Sequence, residues 1–189
     1  MTGKPAEGET DMKRWLLCEI IAIIGLAPAC VIAQDMTIPE QMDLNYTITA
    51  GAVYAVNSHI LQRWEPIVGI AWYGPMGDEF GADSALGLSA DWIPFHRGDD
   101  KTVSLIPMLI NYRVYGYASG YRLFTTLGIG VTVASDDVPE MRLNGGANFG
   151  WTAGFGIDIT NQFYGQFKFI GSSNPSEDGL AGVELGYRF

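Results

Sequence analysis

Between residues 44 and 189 the chain repeats one pattern eight times: about ten residues in which apolar side chains alternate with small or polar ones, then a cluster of turn formers. A period of two sends successive side chains to opposite faces of an extended strand. The last segment is the cleanest, with Ala181, Val183, Leu185, Tyr187 and Phe189 on one face and Gly182, Glu184, Gly186 and Arg188 on the other. The sixth sets Phe149, Trp151, Ala153, Phe155 and Ile157 against Gly150, Thr152, Gly154, Gly156 and Asp158. The fifth sets Tyr121, Leu123, Leu127, Ile129, Val131 and Val133 against Arg122, Thr126, Gly128, Gly130 and Thr132. The seventh, third and second obey the same rule around Phe167, Leu88 and Ile70. The first, around Leu44 to Asn57, is softer. The fourth, Thr102 to Val114, is apolar on both faces and contains Pro107, so its inward face stays open.

Alternation also suits a soluble sandwich. Three features argue instead for a sheet closed in lipid. The apolar faces are uniform and rich in aromatics. The opposite faces hold Gly, Thr and isolated charges rather than many Lys and Glu, and only 17% of the chain is charged, against about 25% in soluble domains. An even strand number lets the sheet close with both of its ends on one side, and closure matters because an open edge in hydrocarbon would leave backbone groups unpaired. The expectation is an all-β fold: an eight-stranded antiparallel up-and-down transmembrane β-barrel over 44–189.

Such a barrel has a narrow interior, so its charges must be matched. The inward candidates are Glu65, Asp91, Asp158 and Glu184 against Arg63, Arg122, Lys168 and Arg188. Inward glycines leave room for these long side chains. Trp64, Trp72, Trp92 and Trp151 suit a girdle where lipid meets water.

The N-terminus reads as an address. Met12-Lys13-Arg14 precedes an apolar run from Trp15 to Ala27, and small residues end at Val31-Ile32-Ala33. These are the parts of a cleaved signal peptide. Residues 1–33 are therefore expected to be removed, with Met12 the true start and 34–43 a short periplasmic lead-in. An uncleaved anchor is disfavoured because the run falls short of roughly 20 apolar residues. A lipoprotein with Cys30 lipidated is disfavoured by the misplaced Leu26 and by Pro28. Cys18 and Cys30 both fall in the leader, which excludes disulfide and thiol chemistry from the mature chain.

The net charge of −10 and the scattered basic residues exclude a nucleic-acid surface. His59 and His96 lack the spacing of a metal pair, so neither a metal nor another cofactor is expected. Thr160-Asn161-Gln162 forms a tight turn of the periplasmic kind. The outer loops then fall near 57–63, 95–101, 134–147 and 171–178, with the 74–82 connection on the periplasmic side.

The ending Val183-Glu184-Leu185-Gly186-Tyr187-Arg188-Phe189 resembles the C-terminal signature of outer-membrane barrels. That resemblance implies an assembly signal on Leu185, Tyr187 and Phe189, read by the barrel assembly machinery. Residues 44–189 also resemble the small outer-membrane β-barrel superfamily that includes OmpX, OmpW and the OmpA membrane domain. The likeness is carried by Thr126-Leu127-Gly128-Ile129-Gly130-Val131 and Trp151-Thr152-Ala153-Gly154-Phe155-Gly156-Ile157-Asp158. It implies a monomer integral to the bacterial outer membrane, in contact with its lipid and lipopolysaccharide.

Phe169-Ile170-Gly171-Ser172-Ser173-Asn174 is similar to the lipid A 3-O-deacylase motif His-x-Ser-Asn, in which Ser is the nucleophile and His the base. Ser173 and Asn174 match, while Gly171 stands where the motif has His. A Ser without a base is a poor nucleophile, so a hydrolase would need His59 or His96 brought to Ser172 or Ser173 by barrel closure. Three functions follow: a non-enzymatic barrel with a structural or surface-interaction role, a deacylase-like hydrolase, and a small-solute pore. Eight strands disfavour the pore, because side chains fill so narrow an interior.

Overall fold

The computed structural model describes residues 45–56, 64–76, 83–96, 101–118, 120–141, 143–172 and 179–189. The proposed leader, its cleavage site, the lead-in 34–43, His59, Arg63, Ser173 and Asn174 all lie outside them. Eight strands follow in order: β1 Asn45–Ala55, β2 Trp64–Pro75, β3 Ser84–His96, β4 Thr102–Ala118, β5 Tyr121–Ala134, β6 Gly146–Asp158, β7 Phe163–Ser172 and β8 Gly179–Arg188. Each pairs antiparallel with the next, and β8 closes on β1 from Thr47↔Arg188 to Ala55↔Leu180. The closed barrel excludes the two stacked sheets of a sandwich. Strands of 10 to 17 residues match or exceed the roughly 9–11 residues that cross a bilayer.

Period two resolves into an inside and an outside. Ile48, Ile70, Leu88, Ile110, Leu127, Ile129, Phe155 and Leu185 project outward and are about half exposed or more. Every strand contributes to this apolar ring, which in a water-soluble monomer would be anomalous. The fourth segment, ambiguous in sequence, turns Val103, Leu105, Leu109, Asn111, Arg113 and Tyr115 inward.

The start of β1 and the end of β8 lie at one end, where the β6–β7 turn also sits: Arg188 N donates to Gln162 O at 2.8 Å and Phe189 N to Tyr46 O at 3.0 Å. The β4–β5 turn at the same end passes through Gly120, whose φ of 83° disfavours a side chain. We call this the terminal end and the other the loop end.

Prolines interrupt the ladders around β3. The β3–β4 register runs from Ala90↔Met108 to Ile93↔Leu105, without pairs at Asp91 and Trp92; Pro107, opposite Asp91 in that register, has no N–H to donate. The β2–β3 register begins at Val68↔Trp92. Its continuation would set Pro66 against Pro94. Beyond that point the Glu65 carboxylate takes over, accepting from His96 N at 3.3 Å.

The barrel lumen as candidate functional site

The lumen has three levels. In the middle, Lys168 on β7 bridges two acids, with Nζ 2.5 Å from Asp91 Oδ2 on β3 and 3.3 Å from Glu184 Oε1 on β8. Gln166 Nε2 donates to the second oxygen of Glu184 at 2.5 Å. Gly69 makes this possible, because a Cβ there would meet the Asp91 carboxylate and the Thr49 hydroxyl. All three charged groups are buried.

At the terminal end Asp158 accepts from Arg188 Nη2 at 2.6 Å and lies 3.7 Å from Arg122 Nε. Arg188 packs over Tyr164, and Arg122 over Tyr115 at 3.9 Å. Between this level and the middle stands Arg113, stacked over Tyr73 at 4.0 Å and Phe124 at 4.1 Å. Arg113 was absent from the charges chosen by sequence. It lies in the one segment whose two faces look alike, although Asn111, Arg113 and Tyr115 share a parity that marks its polar face.

The loop end is apolar. Val53, Ile67, Ile93, Phe95, Val103, Leu105, Ile170 and Leu180 meet inside the barrel. Val138, Met141 and Leu143 from the β5–β6 connection join the same cluster. That connection closes through paired backbone bonds between Val138 and Leu143 and a single 3-10 turn, Pro139–Met141. Ions and glycine therefore fill the middle and the terminal end, while hydrocarbon seals the loop end. Two small cavities, about 20 and 10 Å³, lie in the polar part.

Glu65 and His96 come together at the loop end, with Glu65 Oε2 2.8 Å from His96 Nδ1. Among the described residues His96 bonds to Glu65 and shares no hydrogen bond with Ser172. Ser172 is buried, and its Oγ donates to Met141 O at 3.2 Å. The expected approach of His96 to Ser172 is not among these contacts, and Ser173 lies outside the described residues.

Leu185 and Phe189 project outward from β8, and Tyr187 packs against Phe163 at 4.9 Å and Phe189 at 5.0 Å. Of the tryptophans, Trp64 and Trp92 are exposed near the loop end. Trp92 Nε1 donates to Ser104 Oγ and Trp151 Nε1 to Ser172 O, so each indole keeps a polar partner.

No protein-family model and no curated protein sequence matches the chain. Solved structures do. The outer membrane enzyme PagL superposes with a TM-score of 0.53 at 16% identity, over 77% of this chain and 98% of that one. Ail from Yersinia pestis gives 0.49 at 12% identity over 78% and 100%, and Neisserial surface protein A gives 0.48 at 12% over 77% and 97%. At such identities the likeness is one of architecture, and the ladder of eight antiparallel strands agrees with it. The chain has the fold of the small eight-stranded outer-membrane β-barrels.

Proposed function

We propose that the protein is an integral outer-membrane barrel, sealed to solutes, with a structural or surface-interaction role rather than a catalytic one. The carrying observation is a closed ladder with apolar side chains outside and a lumen blocked twice, by the Lys168 ion cluster and by the apolar plug at the loop end. Hydrocarbon is the solvent that makes such an exterior stable. On this reading residues 1–33 direct export, the Leu185, Tyr187 and Phe189 face engages the assembly machinery, and lipid and lipopolysaccharide surround a monomer.

The test is fractionation followed by reconstitution. The protein should fractionate with the outer membrane, and its planar bilayers should show no single-channel currents. Discrete conductance steps would overturn the sealed reading, and recovery as a folded monomer in detergent-free buffer would overturn the membrane one.

A hydrolytic second reading is favoured by one arrangement, the Glu65 carboxylate that orients the His96 imidazole. A carboxylate–imidazole pair is two thirds of a nucleophilic triad. Mass spectrometry of lipid A from cells with and without the protein decides it: loss of an acyl chain promotes the enzyme, and unchanged lipid A leaves the structural role.

A further inference from the structure

Lys168 faces two carboxylates, and Arg188 holds Asp158. Arg113 adds another guanidinium near the terminal end, and among the described residues no carboxylate pairs with it. It is 1% exposed. Its Nε donates to Thr126 Oγ1 at 3.0 Å, and its Nη2 to Tyr73 Oη at 3.1 Å and Gln166 Oε1 at 3.4 Å. Its Nη1 donates to no protein group.

The rings of Tyr73 and Phe124 stabilise the delocalised charge across their faces. They neither neutralise it nor serve Nη1. A guanidinium does not shed its proton, so the usual escape of a buried base is closed. A counter-charge from outside the chain would relieve it.

The space for one is present. Arg113 and Arg188 both line a cavity of about 10 Å³ at the terminal end. Asn45, Thr47, Tyr73 and Tyr115 contribute to its walls, and no carboxylate does. The space suits a single small guest. Cations are disfavoured there by the two guanidiniums.

We propose that this cavity binds a small monatomic anion between Arg113 and Arg188, with chloride as the probe. The inference does not depend on the sealed-barrel reading, because it concerns only the terminal mouth of the lumen.

Two measurements test it. Thermal unfolding of the detergent-folded protein is compared in sodium chloride and in sodium gluconate at equal ionic strength. Chloride should raise the midpoint by several degrees, and the Arg113→Met variant should lose that dependence. Wild-type crystals grown in bromide should give an anomalous peak between the two guanidiniums, which decides the matter even if Arg113→Met does not fold. Equal midpoints in the two salts, a chloride effect that persists in Arg113→Met, or a site holding only water in bromide crystals would each overturn the assignment.

Discussion

Lys168 holds two carboxylates at once, and the three groups cross the lumen from β3 to β7 and β8. Removing one member of a buried ion cluster costs more than the cluster contributed, because the others stay desolvated. Lys168→Met leaves Asp91 and Glu184 buried and mutually repelling. It should lower unfolding free energy by about 3–5 kcal/mol, read as a reduced urea midpoint for the protein folded in lipid vesicles. Adding Asp91→Asn should recover part of that loss, since one buried charge disappears. A double variant no more stable than Lys168→Met alone would show that the carboxylates do not sense one another. Gly69 belongs to the same unit, because a side chain there would push Asp91 away from the lysine.

β8 has two duties that separate experimentally. Its inward residues complete the lumen, and its outward face ends at Tyr187, which packs against Phe163 of β7 and against Phe189 just beyond the strand. Phe189 is 67% exposed, so its ring adds little to packing. Phe189→Ala should leave refolding into detergent near wild type while cutting the yield of assembled protein in the outer membrane of cells several-fold. Equal losses in vitro and in vivo would make the residue a packing element rather than a signal. β3 is the irregular member of the barrel: proline removes ladder bonds on both of its sides, and Glu65 supplies one from a side chain.

As a whole molecule the barrel sets a ring of large apolar side chains outside and buries its ion clusters in the lumen, beside the apolar plug at the loop end. The solvent for that exterior can be tested at Leu127, in the middle of β5 and 54% exposed. Leu127→Arg should destabilise the protein in bilayers by about 2–4 kcal/mol, measured by urea unfolding from vesicles. On a water-facing surface the same change would be nearly neutral, so an unchanged midpoint would sink the membrane reading. The inward neighbour Thr126 is held by Arg113 Nε, so changes there act through the lumen and not through lipid.

Alternation alone determined the number of strands, the order of turns and, in most segments, which face carries hydrocarbon, because a strand offers only two faces and lipid accepts only one of them. It could not orient the fourth segment, where both faces are apolar, and so it passed over Arg113. Nor could it pair the ions. Lys168 is 77 residues from Asp91, and their meeting depends on the stagger at which eight strands close, a property no single strand carries. Closure likewise gave His96 a carboxylate partner on β2 and filled the loop end with side chains from a connection that reads in sequence as an exposed loop. A local period is written in each segment; contact across a lumen exists only once the circle is complete.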